Sequence, residues 1–194
     1  MKQFNKIIGS VGVALAMFTF AAQSVSAKTF KLTSSSVKAG AMLSQKFFWN
    51  NFGCTGENVS PALSWTNAPE GTKSYAITFY DQNAPTGSGF WHYQMYNIPA
   101  SVTALAEGDL SSKKLPQGAI ESNTDLGAPG YFGPCPPVGR KHQYVYTVYA
   151  LPTEQLLGAD GKPAMGQQTA ALTGFFLWAA KPLGSATFKV KAGR

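Results

Sequence analysis

The sequence predicts a mainly β protein, a two-sheet antiparallel β-sandwich with one C-terminal helix and short helical turns. Three observations predict it. Aromatic and β-branched runs recur at 73–80, 90–98 and 141–151, each bounded by turn-forming residues. The segments between them are rich in Gly, Pro, Asn and Ser. Only one stretch, late in the chain, reads as a helix, and many short strands with a single late helix point to a sandwich.

Residues 1–27 read as a secretory signal. Lys2 and Lys6 give the positive start, 7–20 an uncharged apolar run, and Val25-Ser26-Ala27 the small residues of a cleavage site. The apolar run falls short of the roughly 20 residues that span a bilayer. Cleavage would start the chain near Lys28, leave one domain over 28–194, and lower the net charge from +7 to +5. The expected location is the periplasm or the medium, without stable membrane insertion. Scattered lysines on an exported protein argue against nucleic acid and leave phosphates, anionic lipid headgroups or acidic partners as candidates, with a solvated basic surface that has no specific partner as the plain alternative.

In order, 28–32 reads as a short opening strand, and 53–63 as a long loop. A short strand follows at 62–65, then a turn at 68–72 and a strong strand at 73–80 that ends on Asp81. In the strand 90–98, alternation puts Trp91, Tyr93 and Met95 on one face and His92, Gln94 and Tyr96 on the other. Residues 99–130 read as loops with one or two short strands, and 152–166 as a helical turn plus loop. The helix is expected over 167–181, ended by Pro182, and its apolar residues run nearly all round. Such a helix is buried or lies over an apolar mouth. The chain closes with a strand at 185–191.

Cys54 and Cys135 are the only cysteines. Export and an even count make a disulfide the reading taken, with a metal pair or a reactive thiol as alternatives. Closing a loop of about 80 residues contributes roughly 4–5 kcal/mol on the chain-entropy model, and less in practice. The bridge would pin the rim GPCPPVGRKHQY, 133–144, to the segment around Gly53 and Gly56. Prolines stiffen that rim, and the strand beyond it projects His142 and Tyr144 from one face.

His92 and His142 are the only histidines, and both border turn-rich loops, as does Asp81. With Tyr144 they form a candidate polar cluster. Imidazole and phenol donate to an anion, and a neighbouring carboxylate fixes an imidazole tautomer. A strand histidine with satisfied bonds and no further role is the plain alternative.

The segments CTGENVSPALSW (54–65), GTKSYAITFYDQNAPTG (71–87), FWHYQMYNIPA (90–100) and GYFGPCPPVGRKHQYVYTVYAL (130–151) resemble the phosphatidylethanolamine-binding proteins, in their bacterial Raf-kinase-inhibitor-like branch. The likeness keeps order and spacing over roughly 30–191. It implies a sandwich with a small anion pocket at one end, lined by Asp81, His92, Pro136, His142 and Tyr144, with backbone from Ala84 and Gly133 nearby. It implies a phosphate- or carboxylate-bearing ligand such as a phospholipid headgroup, and relatives that are often homodimers. The family's Asp-Pro-Asp-Ala-Pro stands here as Asp81-Gln82-Asn83-Ala84-Pro85, which keeps the first acid, removes a second charge and is expected to loosen the turn. The Ala84-Pro85 and Pro136-Pro137 bonds are candidates for cis geometry.

The expected function is anion or phospholipid-headgroup binding without catalysis and without cofactor or metal. One alternative is a protein-protein modulator such as a protease inhibitor, for which Phe47, Phe48 and Trp49 are docking candidates weighed against core packing. The other is a metal-dependent hydrolase using Asp81 and the two histidines as a facial triad. No HExxH, GxSxG or Walker motif supports an enzyme. Ser60 and Ser88 have no evident base partner.

Overall fold

Strand pairing is clearest from residue 142 onward, where every second side chain to Ala150 is buried and its neighbour is not. A computed structural model describes residues 28–164 and 166–194, so the expected signal at 1–27 lies outside the described residues. The strands are β1 Lys31–Thr33, β2 Leu63–Thr66, β3 Ser74–Asp81, β4 Phe90–Pro99, β5 Ala104–Leu105, β6 Ile120–Glu121, β7 Lys141–Leu151 and β8 Gly184–Gly193. Among the described residues one helix, α1, spans Ala170–Ala179, and a single 3₁₀ turn covers Gln45–Phe47.

Two antiparallel sheets form, β1-β2-β5 and β6-β4-β3-β7-β8. The face of the larger sheet that meets the smaller one carries Tyr75, Ile77, Phe79, Tyr144, Tyr146, Val148, Phe188 and Val190 against Leu32, Leu63 and Trp65. Phe79 centres an aromatic stack, 4.0 Å from Tyr146 and 5.6 Å from Tyr131. The Tyr131 and Tyr146 hydroxyls bond each other at 2.7 Å, so both polar ends are satisfied inside the core. A second cluster, Ala76, Tyr96, Leu151, Leu156, Phe176 and Leu177, lies on the opposite face under α1. Cover on both faces explains why β3 is buried almost without interruption.

The helix starts at Ala170 rather than Gln167 because the preceding carbonyls are used elsewhere. Gln167 O accepts from Asn123 Nδ2 and Gln168 O from Ser122 Oγ. Thr169 then caps the helix, its hydroxyl accepting from Leu172 N at 3.3 Å. Only one side of α1 is buried, through Ala170, Thr173, Phe176 and Leu177. Ala171, Leu172, Phe175, Trp178 and Ala179 face outward, so of the two expectations the mostly buried helix is not met, while Gly174, Leu177 and Trp178 do border a groove.

The helical turn expected within 152–166 is absent among the described residues, which form turns and a bridge between Leu157 and Pro163. Phe47 and Phe48 are buried in the main core, so they are packing residues rather than docking ones.

Candidate functional site

The site forms where β3 ends and β4 and β7 begin, and a β-bulge decides what points into it. Phe79 pairs with Tyr93, but the next residue, Tyr80, pairs with Trp91, leaving His92 as an extra residue in β4. Simple alternation would send His92 to the helix side with Gln94. The bulge turns it toward the main core, 5.3 Å from the Phe79 ring and 5.4 Å from the Tyr144 ring. Trp91 goes the other way, packing 4.4 Å from Tyr80 and lining a groove beside α1. The two-face assignment read from the sequence therefore fails at Trp91 and His92, for a reason that belongs to strand pairing.

His92 is buried, and its Nδ1 donates to the Phe132 carbonyl at 2.9 Å. Burial pushes its pKa down to about 4, against smaller opposing effects from that carbonyl and from Asp81. The ring is neutral at pH 7, which leaves Nε2 as an acceptor.

His142 is held differently. Asp81 sits directly opposite Tyr144 in the β3–β7 register, and its Oδ2 accepts from His142 Nδ1 at 2.7 Å. Both side chains are buried. The second carboxylate oxygen accepts from Asn83 N at 2.9 Å, so both oxygens of Asp81 are engaged. With Nδ1 committed to the acid, Nε2 is the free nitrogen of His142, which lines the cavity of the site.

The altered turn after Asp81 is tethered rather than loose. Asn83 Oδ1 accepts from Gln143 N at 2.7 Å, and Gln82 Nε2 donates to Gln143 Oε1 at 2.7 Å. These side-chain bonds tie the turn to β7, in place of the stiffness that proline would supply. Every peptide bond among the described residues is trans, including Ala84-Pro85 and Pro136-Pro137.

Tyr144 lies between the two imidazoles, 5.4 Å from His92 and 6.3 Å from His142 by ring centroids. Its buried hydroxyl makes no hydrogen bond; Asp81 and the Cys135 backbone approach it without reaching bonding geometry. Burial, reinforced by the negative charge of Asp81, holds its pKa well above the ordinary phenol value, so it is a donor at any working pH.

The proline-rich rim is fixed from three sides. Cys54 and Cys135 form a disulfide, as expected. Asn58 clamps the rim, donating to Tyr131 O and accepting from Gly133 N at 2.7 Å. Arg194 joins it to the opposite loop, with Nε donating to Pro136 O at 2.8 Å and Nη1 to Gly53 O at 2.6 Å.

These elements enclose a cavity of about 400 Å³. Of the seven residues expected to line it, Asp81, Ala84, His92 and His142 do so. Tyr144 stands just behind them. Gly133 and Pro136 do not line it, and each has a structural task. A Cβ at Gly133 would stand 2.4 Å from the Phe47 carbonyl oxygen, so glycine there permits backbone-to-backbone packing, and Pro136 anchors Arg194.

Sequence reading missed Arg194, Phe52 and Phe90, which also line the cavity, as do Pro137 of the expected rim and Trp49, expected only as a docking candidate. The nearness of Phe52 to Cys54 was the one signal available for that wall. Arg194 reaches the site only because β8 pairs Gly193 with Lys141 at the start of β7. Among the described residues no three His, Cys, Asp or Glu side chains are placed to share a metal ion, since the two histidines bond separate partners.

Comparison with known proteins agrees with this architecture. YbcL of Escherichia coli (strain K12) is 44% identical over 174 residues, which cover 88% of this chain and 90% of YbcL. The crystal structure of E. coli YbcL, described as a new member of the mammalian PEBP family, superposes with a TM-score of 0.78 at 40% identity, covering 85% of this chain and 98% of that one. YbhB of the same organism is 42% identical over 127 residues, 65% of this chain and 80% of YbhB. LppC of Mycobacterium tuberculosis (strain H37Rv), named as a candidate lipoprotein, is 35% identical over 116 residues, 58% of this chain and 54% of LppC. The family model described as phosphatidylethanolamine-binding protein matches residues 33–189. The chain belongs to the phosphatidylethanolamine-binding protein family.

Proposed function

We propose that this protein is an exported, non-catalytic binding protein whose cavity holds a small phosphate- or carboxylate-bearing anion, with a phospholipid headgroup as one source. The observation that carries this reading is the convergence of Asp81, His92, His142 and Arg194 on one cavity, with the buried Tyr144 hydroxyl just behind them. His142 lines the wall with its Nδ1 held by Asp81, and Arg194 adds a fixed cation at the rim. Trp49, Phe52 and Phe90 offer carbon surface to whatever the anionic group is attached to.

Support for a non-catalytic role comes from the bonding of the candidate groups. Asp81 and His142 bond each other, and the Thr86 hydroxyl in the same cavity is taken up by the Gly89 carbonyl. The Ser60 hydroxyl is used by the Leu110 and Ser111 amides instead. Export is supported by the disulfide and by the likeness to a candidate lipoprotein. Fractionation, with the N-terminal residue read by mass spectrometry, tests it.

Calorimetric titration with phosphate and phosphoethanolamine, comparing the wild type with His142→Ala, tests the pocket. Saturable heats in the wild type that weaken in the variant are expected. Equal heats from both proteins would reject the assigned site.

A further inference from the structure

Helix α1 is apolar on both sides, yet the sheet covers only one. Outward-facing Ala171, Leu172, Phe175, Trp178 and Ala179 recur at the spacing of a single helical stripe. Trp178 is 73% exposed and Phe175 is 52% exposed, and their rings lie 5.8 Å apart. Leu183, in the turn that follows the helix, extends the ridge at 42% exposure. A run of large side chains in water is unfavourable for a monomer unless the face has an occupant.

The charge around the ridge says which occupant. From Gly161 to Arg194 the chain has five basic residues and no acidic one. Lys181 follows the helix directly and is exposed. The inward positions of β8 are Ala186, Phe188, Val190 and Ala192, so Lys189 and Lys191 point to the sheet face that carries α1. Lys141 does the same from β7, where it pairs with Gly193. Two copies joined through this face would bring these lysines toward one another, which opposes a self-association. Aromatic and leucine side chains beside lysines instead match the boundary of an anionic bilayer.

We propose that α1 and the adjoining outer side of β8 dock this protein on an anionic lipid surface, with Phe175, Trp178 and Leu183 at the headgroup–acyl boundary. Lys181 extends toward lipid phosphates from the end of the helix, and Lys141, Lys189 and Lys191 attract the surface over a distance of about one Debye length. The contact is peripheral, and it is separate from the anion cavity, to which none of these residues contributes.

The test uses the protein as recovered from expressing cells, with phosphatidylcholine vesicles made with or without phosphatidylglycerol. All variants are compared in the same chain, so the apolar N-terminal run contributes equally. Co-sedimentation with the phosphatidylglycerol vesicles, reversed by salt, is expected, together with a blue shift of tryptophan emission. Phe175→Ser/Trp178→Ser should lower partitioning by about tenfold and abolish the shift, and Lys189→Glu/Lys191→Glu should remove most of the salt-dependent part. His142→Ala should leave partitioning unchanged. Equal partitioning of the wild type and the Phe175/Trp178 variant overturns the proposal, and so does lipid binding lost only in His142→Ala, which would assign the contact to the cavity. A dimer that the Phe175/Trp178 variant dissolves, with no vesicle binding, would put a second copy on this face and equally overturn it. Circular dichroism of each variant confirms that the fold is intact.

Discussion

Asp81 Oδ2 stands 2.7 Å from His142 Nδ1, and both side chains are buried at the wall of the cavity. One carboxylate therefore fixes the orientation and the tautomer of one imidazole, while its other oxygen holds the following turn through Asn83 N. Asp81→Asn keeps the shape and removes the charge. Nitrogen-resolved NMR of the imidazole should show a single Nδ1–H form in the wild type and a mixture in the variant. Loss of a buried charge-assisted bond should lower unfolding stability by about 2 kcal/mol in urea titrations. An unchanged tautomer would mean that the acid does not control this ring.

His92 predicts a slope of stability with pH. Its folded pKa is lowered from 6.5 to about 4 by burial, so between those values the unfolded chain holds more protons than the native one. Its contribution is complete above pH 6.5 and is lost as the pH falls toward 4, with a ceiling of about 3 kcal/mol. Urea midpoints measured at pH 7 and pH 4.5 should fall in the wild type, and His92→Gln should flatten that fall. Identical slopes in the two proteins would place the acid sensitivity elsewhere.

Two glycines predict opposite signs. A Cβ at Gly133 meets the Phe47 carbonyl oxygen at 2.4 Å and Trp49 N at 2.9 Å, and backbone cannot step aside cheaply. Gly133→Ala should cost more than about 2 kcal/mol and lower the melting temperature. At Gly174, inside α1, a Cβ meets nothing within 4 Å. Gly174→Ala should stabilise by about 0.5–1 kcal/mol through helix propensity. Thermal melts of the two variants moving in the same direction would refute the packing argument.

The disulfide predicts a measurable loss on reduction. Cys54 and Cys135 are 81 residues apart in sequence and join the Phe52–Gly53 loop to the rim, where Gly53 O also holds Arg194. Replacing both cysteines by Ala should cost about 2–4 kcal/mol in urea, and reductant should reproduce the effect in the wild type while leaving the variant unchanged. A wild-type midpoint indifferent to reductant would show that the bridge contributes little to stability.

How much of this was legible in the sequence depends on whether a feature belongs to one segment or to a pairing of two. The strands at 74–81, 90–99 and 141–151 were readable because their residues carry the alternation and their flanks the turns. The convergence of Asp81, His92 and His142 was readable as polar residues at strand ends. The bulge at His92 was not, because an extra residue in β4 exists only relative to β3. Arg194 was hidden for the same reason, since the β7–β8 register alone brings it to the rim. The outward side of α1 was invisible because a helix apolar all round gives no contrast from which to choose its buried face.

Arg194 supplies the last prediction, because its charge and its geometry can be separated. The guanidinium is held by two carbonyls from two loops, Pro136 O and Gly53 O, a fork that an ammonium cannot reproduce. If charge alone matters to an anion in the cavity, Arg194→Lys should bind phosphoethanolamine as the wild type does, and Arg194→Ala should bind it roughly threefold to tenfold more weakly, by less at high salt. If the tether also sets the width of the cavity between rim and loop, Arg194→Lys should itself be weakened and the loss should persist in salt. The two bonds are short and join segments otherwise linked there by the disulfide, so the second pattern is the expected one. Calorimetry of both variants at low and high ionic strength decides it, and an Arg194→Ala protein with wild-type affinity would remove Arg194 from the site.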